Sequence, residues 1–351
     1  MASEQQWESK MEQCFVGLDV SKAETSICVC NQSGGPVFAA KKVTDPDVIF
    51  QALRDHVGVI QCVVLETGRM ANWLYTELAD RGLPVVCIDA RQAHAVLSQM
   101  HNKTDANDAA MLAELARTGF YRKVEVKSRL AQERRALLKA REVALKSRVN
   151  VENTIRGLLA SFGLRLPKHL NTYEERVHAI LKDRPVLSSV ILPLLDLRTA
   201  DLRQAAALSK EMVRHAKADE ACQRLMTIPG VGPVSAVTFV ATIDNPRRFS
   251  KSRSVGAYLG LTSRRYQSGD VDYGGRISKH GDPMLRSALY EAASSLLNRV
   301  KPGKGSELQR WARALKARTS HKKAVVALAR KLAVLMHAIW TNGSTFQTKE
   351  A

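Results

Sequence analysis

The sequence predicts an α/β domain followed by a mainly helical second part. Three observations lead to this fold class. Residues 14–90 contain five short runs rich in Val, Ile and Cys, each of strand length and bounded by turn-forming or helix-forming segments. From about residue 122 the strand signal stops, and Leu, Ala and charged residues dominate. With 351 residues, 45% of them hydrophobic, the chain is long enough for two domains or for one domain with a large insertion.

The first part opens with three strand-like runs, CFVGLDV, TSICVCNQ and PVFAAKKV, separated by the short turns SKAE and SGG. Two tight turns between successive strands predict an antiparallel meander. A helix follows, with Asp45 as its N-cap and Pro46 at its first position. The continuous apolar run VIQCVVLE then predicts a buried central strand. Another helix, the strand LPVVCIDA and further helices complete the order β-β-β-α-β-α-β-α, which is that of ribonuclease-H-like domains.

This fold is shared by RuvC-type nucleases and, more distantly, by actin-like ATPases. Element order alone does not establish function. The chain contains no Walker-type GxxxxGK[ST] motif and no second Gly-rich phosphate segment of the actin-like kind. An ATPase is therefore the weaker interpretation of this fold.

A long basic helix is predicted after the first domain. Residues 121–165 hold 12 Lys and Arg against four Glu. Four apolar residues fall there at near-heptad spacing: Leu130, Leu137, Leu145 and Val149. The pattern is typical either of a coiled coil or of a solvated amphipathic helix. We expect four regions: a RuvC-like domain (13–122), a helical or coiled-coil assembly region (123–220), a mainly α C-terminal domain (221–341) and a polar tail (342–351).

The charge of the chain points to a polyanionic partner. Lys and Arg number 53 and Asp and Glu 34, a net charge of +19, and residues 301–331 hold ten Lys and Arg against Glu307 alone. Nucleic acid is the usual partner of such a surface. No apolar run approaches the roughly 20 residues that span a bilayer, and the N-terminus lacks a signal-peptide pattern. We expect no membrane association.

The six cysteines show neither a CxxC motif nor zinc-ligand spacing. Small buried thiols in a reducing compartment are the simpler interpretation. The sequence thus predicts a cytoplasmic or nucleoid-associated protein without disulfides.

Four carboxylates stand where a metal site could form. Asp19 ends the first predicted strand, Glu66 ends the buried central strand, and Asp105 and Asp108 lie three residues apart at a helix start. An all-oxygen set of this kind suits Mg²⁺ or Mn²⁺. Each residue also has a simpler role: Asp105 as a helix cap with Asp108 in its first turn, Glu66 as a solvated strand end, Asp19 as a turn residue.

The motifs GLDVSK, VVLETGRM and KTDANDAAMLAELAR resemble those of the DEDD transposases of insertion-sequence class one hundred and ten, which include pilin-gene invertases. The C-terminal half is similar as well, in IPGVGPVSA and FSKSRSVGAYLGLTSRRYQSGDVDYGGRISKHGDPMLRSALYEAA. The resemblance implies a RuvC-like domain whose metal ligands are Asp19, Glu66, Asp105 and Asp108. It also implies double-stranded donor and target DNA, an element-encoded guide (bridge) RNA, a homodimer or homotetramer, and a prokaryotic host.

The same resemblance implies a nucleophilic serine, which falls on Ser268 in YQSGD. Ser278 in RISKHGD is the main competitor. Ser263 stands where the family commonly has proline, so we interpret it as that substitution. The residues themselves suggest a polar, Gly-rich loop, and an ordinary exposed turn explains this segment equally well.

Basic residues and glycines near these motifs suit phosphate binding. Guanidinium and ammonium groups bind phosphate and stabilise charge on it; the candidates are Arg264, Arg265, Arg276, Lys279 and Arg286. The segment IPGVGPVSA resembles a helix-hairpin-helix turn, in which Gly230 and Gly232 let backbone N–H groups approach a phosphate. A tight turn that uses Gly and Pro for geometry alone is the alternative.

The resemblance predicts a recombinase that cleaves and rejoins DNA through a transient phosphoserine. A junction-resolving nuclease would use the four carboxylates and water, without a serine. A non-catalytic nucleic-acid-binding protein on the same fold would need no complete set of acids.

Overall fold

The computed structural model describes residues 13–97, 104–167, 172–299 and 306–347. The chain divides into two compact units, with the boundary between Lys127 and Ser128. This boundary lies close to the end of the first predicted domain at residue 122. The helical region and the C-terminal region, predicted as separate, belong to one unit.

The first unit is built on a five-stranded mixed sheet in the order β3-β2-β1-β4-β5. Its strands are β1 (Gln13–Val20), β2 (Glu24–Asn31), β3 (Pro36–Val43), β4 (Val59–Glu66) and β5 (Val85–Ile88). The pairs β1–β2 and β2–β3 are antiparallel, as the short turns predict, whereas β1–β4 and β4–β5 are parallel. This arrangement agrees with the predicted element order.

Helices cover both faces of this sheet. They are α1 (Pro46–His56), α2 (Ala71–Asp80), α3 (Ala90–Leu97) and α4 (Asp105–Thr118). Asp45 caps α1 as predicted, because its carboxylate accepts from the N–H groups of Asp47 and Val48. One face of the sheet packs against α1 and α2. The other face packs against α4 through Val64 and Leu112.

Helix α4 approaches β1 at Gly17. A Cβ atom at this position would lie 2.1 Å from the carbonyl oxygen of Ala109 and 2.3 Å from the nitrogen of Ala113. Only glycine leaves room for such a contact between the two backbones. Gly17 therefore determines how closely α4, and the acids at its start, lie to the sheet.

The second unit is mostly helical and carries one two-stranded ribbon. Its long helices are α5 (Arg129–Ser161) and α7 (Pro185–Ala218), with α6 (Tyr173–Leu181) between them in sequence. The C-terminal elements are α8 (Glu220–Met226), α9 (Pro233–Ile243), a 3₁₀ turn (Pro246–Arg248), α10 (Arg253–Tyr258), β6 (Ser263–Ser268), β7 (Val271–Ile277), α11 (Pro283–Asn298), α12 (Glu307–Arg318) and α13 (His321–Asn342).

Helices α5 and α7 pack against each other in antiparallel orientation. Arg134 pairs with Asp219 at 2.6 Å, Arg141 donates to Ser209 at 2.8 Å, and Arg198 pairs with Glu152 at 2.8 Å. As the residue number rises along α5, the number of the contacted residue falls towards the start of α7, which is the order expected of antiparallel helices. The pairing is within one chain.

The predicted heptad stripe is not a buried seam. Leu130 and Val149 are 49% and 41% exposed. The buried positions of α5 are instead Ala131, Arg134, Leu138, Ala144, Val151, Ile155 and Leu159. Small alanines allow neighbouring helices to approach closely, and Leu138 joins the core of the C-terminal helices. The buried face of α5 therefore depends on which helices pack against it, and the leucine spacing does not predict it.

From the sequence we expected no segment long and apolar enough to cross a membrane, but helix α13 is such a segment by length and composition. Half of its most apolar window is buried inside the protein. A core helix passes the same test, and nine residues of α13 are buried. After α13, part of the predicted polar tail is packed, since the Phe346 N–H donates to Thr227.

Candidate active site

Asp19 and Glu66 lie at the same edge and on the same face of the sheet. In the parallel pair β1–β4, Gly17 is opposite Val64 and Leu18 is opposite Leu65, so the two acids come next on neighbouring strands. Side chains two residues apart on a strand share a face. Gly17 and Val64 both contact the face that α4 covers. Asp19 and Glu66 therefore project towards the α4 side, and both are half-buried.

Helix α4 begins above these strand ends. Its last turn lies near the far end of β2, where Arg117 donates to the carbonyl of Gln32, so its first turn lies near the carboxyl end of β1. Asp105 is exposed and Asp108 is half-buried there. The N-cap is Thr104, whose hydroxyl accepts from the Asn107 N–H at 3.2 Å. The simpler role of Asp105 as the cap is thereby wrong.

A lysine on β3 contacts this corner. Lys41 Nζ lies 3.1 Å from a Glu24 carboxylate oxygen and 3.4 Å from Asp105 Oδ2. These hydrogen bonds, to Glu24 first and to Asp105 second, raise the pKa of Lys41. A cation that bound Asp105 would compete with Lys41 for it.

The donor set fits a hard divalent cation in its chemistry, because all four side chains offer carboxylate oxygens. The structure brings the four acids to one corner of the first unit. Within the described ranges, however, no three acidic, histidine or cysteine side chains come close enough to hold an ion together. The Asp105 carboxylate contacts Lys41 in this arrangement.

Ser268 lies in a β-hairpin, where the sequence suggested a loop. It is the last residue of β6, it pairs with Val271, and it is exposed. Gly269 takes a positive φ of 54° at the first position of the two-residue turn, which favours glycine. The polar side chains gave no alternating apolar signal, so only the SGD turn could have indicated the ribbon.

The other two serines lie at the base of this ribbon. Ser263 opens β6 opposite Ile277, and the Ser278 N–H donates to the Thr262 carbonyl at 2.9 Å. The rise along five residues of strand separates the base from Ser268 by roughly 17 Å. The two candidate nucleophiles, Ser268 and Ser278, are thus at opposite ends of one element.

Three of the five predicted phosphate-binding residues lie together, and the other two each have a different partner. Arg264, Arg276 and Lys279 line one hollow of about 400 Å³ on the ribbon. Arg265 instead pairs with Asp272 at 2.6 Å. Arg286 donates to the carbonyls of Leu259, His280 and Gly281 and so braces the loop before α11.

Gly230 and Gly232 also differ in their surroundings. Gly230 has φ 87°, and a Cβ there would lie 2.7 Å from the Ala292 carbonyl oxygen. Close packing and backbone conformation therefore account for Gly230. Gly232 is the N-cap residue that precedes α9, where no side chain caps the helix, and no heavy atom lies within 4 Å of where its Cβ would be.

A larger basic groove lies in the second unit. Its volume is about 1690 Å³, and Glu307 is the one acid among the described residues that line it. The basic lining residues are Arg253, Arg276, Lys279, Lys322, Lys323, Arg330 and Lys331. The charge of residues 301–331 signalled part of this groove, but not its walls of apolar residues such as Leu261 and Val326.

Two tyrosines were not singled out from the sequence. Tyr266 and Tyr273 are directly paired across the ribbon, with stacked rings whose centroids are 5.4 Å apart. Their spacing around the SGD turn is the signal that could have found them, because a two-residue turn fixes which residues pair.

Two family models match the chain. One, described as "Transposase IS116/IS110/IS902 family", matches residues 222–309. The other, a transposase model of the DEDD type from IS110 elements, matches residues 16–163. A DEDD transposase domain implies a ribonuclease-H-like fold, in agreement with the mixed sheet, and suggests a divalent metal cation.

Named relatives agree with these matches. The chain is 32% identical to the transposase for insertion sequence element IS1111A of Coxiella burnetii, over 95% of this chain and 91% of that protein. It is 26% identical to the transposase for insertion sequence element IS1328 of Yersinia enterocolitica, over 95% of this chain and 98% of that protein. A shorter similarity links the chain to the pilin gene-inverting protein of Moraxella lacunata. The two are 27% identical over a segment that covers 36% of this chain and 38% of that protein. The chain therefore belongs to the IS110/IS116 family of transposases and is an enzyme of DNA transposition and recombination.

Proposed function

We propose that the protein cleaves and rejoins double-stranded donor and target DNA through a transient phosphoserine at Ser268. The observation that supports the metal-dependent part of this proposal is the placement of Asp19, Glu66, Asp105 and Asp108 at one corner of the sheet, and the exposed position of Ser268 at the tip of the ribbon supports the serine part. These four residues would hold Mg²⁺ or Mn²⁺. When bound, the cation supplies Lewis-acid stabilisation of charge on a phosphate.

The serine step is a transesterification. The Ser268 hydroxyl oxygen attacks a DNA phosphorus, its proton passes to water, and an Oγ–P bond forms. The P–O3′ bond breaks, and the departing 3′ oxygen takes up a proton. Because the phosphoester is conserved, a 3′-hydroxyl of another strand can reverse the step without ATP. Arg264, Arg276 and Lys279 lie towards the base of the ribbon and would bind phosphates further along the same strand.

The basic groove supports contact with nucleic-acid phosphates, which give affinity without sequence choice. We propose that an element-encoded guide RNA supplies that choice by base pairing with donor and target. Gly232, at an uncapped helix start, is the better placed glycine for a helix-hairpin-helix phosphate contact. No role for a membrane is proposed, and the setting would be the prokaryotic cytoplasm at the nucleoid.

The carboxylates and the serine belong to different units, so we propose that a homodimer or homotetramer assembles complete sites. Helix α7 supports this, because Val186, Val190 and Leu197 expose 79%, 50% and 47% of their surface along one side of it. Solvent-exposed apolar side chains at helical spacing suit a partner helix.

A junction-resolving nuclease remains the second candidate, since the carboxylates with water could cleave without Ser268. The test uses purified protein, RNA transcribed from the element's flank, Mg²⁺ and end-labelled DNA. We expect wild type to give a DNA adduct that resists SDS, and both Asp105→Ala and Ser268→Ala to lose it. Free nicked DNA from wild type and Ser268→Ala alike would favour the nuclease. DNA binding without any strand breakage would favour a non-catalytic protein.

A further inference from the structure

Tyr266 and Tyr273 expose two aromatic rings on a ribbon that contacts the core only near its base, at Ile277. Their exposed fractions are 64% and 57%. The rings lie nearly parallel, at 15°, so each covers one face of the other and leaves its outer face open. A cross-strand aromatic pair stabilises a ribbon, but it also presents flat π surfaces on which nucleic-acid bases stack.

The register places these rings beside Ser268. Tyr266 precedes Ser268 by two residues on β6, and both residues are in the continuous part of the ladder. Side chains two residues apart share a face, at roughly 7 Å along the strand. Tyr273, opposite Tyr266, lies on that face too. A nucleotide whose phosphate reached Ser268 would have its neighbouring base within reach of the rings.

Positive charge surrounds the two rings. Arg264, Arg276 and Lys279 line the same hollow as Tyr266 and Tyr273. None of the described residues that line it is acidic. Asp272, the nearest acid in the register, is paired with Arg265. Aromatic faces combined with cations along a strand are what sequence-tolerant binding of single-stranded nucleic acid uses.

We propose that Tyr266 and Tyr273 form a platform that stacks an unpaired base of the nucleic acid. The platform would position the nucleotide next to the phosphate that Ser268 attacks; this second step rests on the proposed function. Both residues act as positioning residues, because they would hold the base and not the reacting atoms.

The test measures stacking separately from chemistry. Full-length Ser268→Ala protein is mixed with a single-stranded DNA oligonucleotide that carries 5-iodouracil, and the complex is irradiated and digested with trypsin. Cleavage after Arg265 and Arg276 releases residues 266–276, which read YQAGDVDYGGR in this variant and contain both tyrosines. We expect cross-links on this peptide, at Tyr266 or Tyr273.

Affinity for the same oligonucleotide gives a second readout, by fluorescence anisotropy. Tyr266→Ile/Tyr273→Ile keeps β-branched residues that favour a strand and should bind about 5- to 100-fold more weakly, as expected for lost base stacking. Tyr266→Phe/Tyr273→Phe keeps the rings and should bind like the parent. Phe120→Ile is the matched control, because Phe120 is a ring that is at least as exposed (71%) and lies in the other unit.

Several results would overturn the platform. They are the absence of cross-links on this peptide, unchanged affinity of the isoleucine variant, or equal weakening of the phenylalanine variant. Cross-links at the tyrosines together with no SDS-resistant adduct from the wild-type protein would reject Ser268 chemistry and keep the platform. An adduct at Ser268 without such cross-links would reject the platform and keep the Ser268 chemistry.

Discussion

Gly17 shows how one small residue positions a site. The sequence predicts Asp19 and Glu66 at strand ends because strand boundaries are marked by turn residues. It does not predict the contact between Gly17 and α4, because the approach of two backbones depends on the tertiary packing. The acids at the start of α4 reach the sheet through that contact.

Gly17→Ala should therefore destabilise the first unit and displace α4. Overpacking of this kind costs about 1–3 kcal/mol. Chemical denaturation should show the loss, and strand cleavage should fall with it. Gly68→Ala is the control, since no heavy atom lies within 4 Å of the position of its Cβ. Equal stability of the two variants would contradict the close contact.

The ion pair between Arg134 and Asp219 joins α5 to the N-cap residue of α8. Arg134 exposes 8% of its side chain and Asp219 17%. Burial opposes ionisation of Asp219, but hydrogen bonds from Cys222 and Arg134 outweigh it and hold the pKa of Asp219 below its ordinary value. A lowered folded-state pKa gives stability that is present above the unfolded pKa of about 3.9 and is lost as pH falls further.

Asp219→Asn should keep the N-cap of α8 and leave Arg134 buried without its partner. Breaking a buried pair costs about 3–5 kcal/mol, so unfolding by urea should occur at lower concentration. The difference from wild type should be largest above about pH 4 and shrink below it. Glu211→Gln, which breaks an exposed pair with Arg214, should change the midpoint little. A difference that grows towards acid pH would contradict this assignment.

At the scale of elements, the sheet was predictable and the pairing of helices was not. Short turns fix the meander of β1 to β3, and a continuous apolar run identifies β4. By contrast, the leucine spacing of α5 could not identify its partner, because Leu130 is exposed while its neighbour Ala131 is buried. The β6–β7 ribbon was missed because backbone hydrogen bonds, not burial, hold it together.

The exposed apolar residues of α7 lead to a prediction about assembly. Val190→Glu/Leu197→Glu should lower the mass measured by light scattering, because charges there would have to be buried against a partner helix. Ala206→Glu is the control: Ala206 is exposed on the opposite side of α7. An unchanged oligomer in the double variant would exclude this surface as the interface.

At the scale of the whole molecule, the net charge of +19 predicted that the partner is a nucleic acid. This class of partner is confirmed, since a transposase acts on DNA. The charge count could not locate the contacts. The structure concentrates seven cations around one groove of the second unit. Because sequence distance hides such clustering, only the folded chain shows Arg253 and Lys331 lining the same groove.

Removing two of these cations should change the salt dependence of DNA binding. Each phosphate contact contributes about 0.9 to the slope of log K against log salt concentration. Lys322→Ala/Lys323→Ala should thus reduce the slope by about 2, measured by anisotropy over a salt series. Lys42→Ala, an exposed charge on β3, should leave it unchanged. An unchanged slope in the double variant would place the DNA elsewhere.

The most direct test of the central claim is to locate the covalent bond. The SDS-resistant adduct is digested with nuclease and trypsin, and the nucleotide-bearing peptide is identified by mass spectrometry. The tryptic peptide YQSGDVDYGGR holds one serine, Ser268, whereas Ser278 falls in ISK and Ser263 in SVGAYLGLTSR. We predict the nucleotide mass on YQSGDVDYGGR at Ser268. A nucleotide on ISK would move the nucleophile to Ser278, and cleaved DNA without any modified peptide would contradict the phosphoserine mechanism.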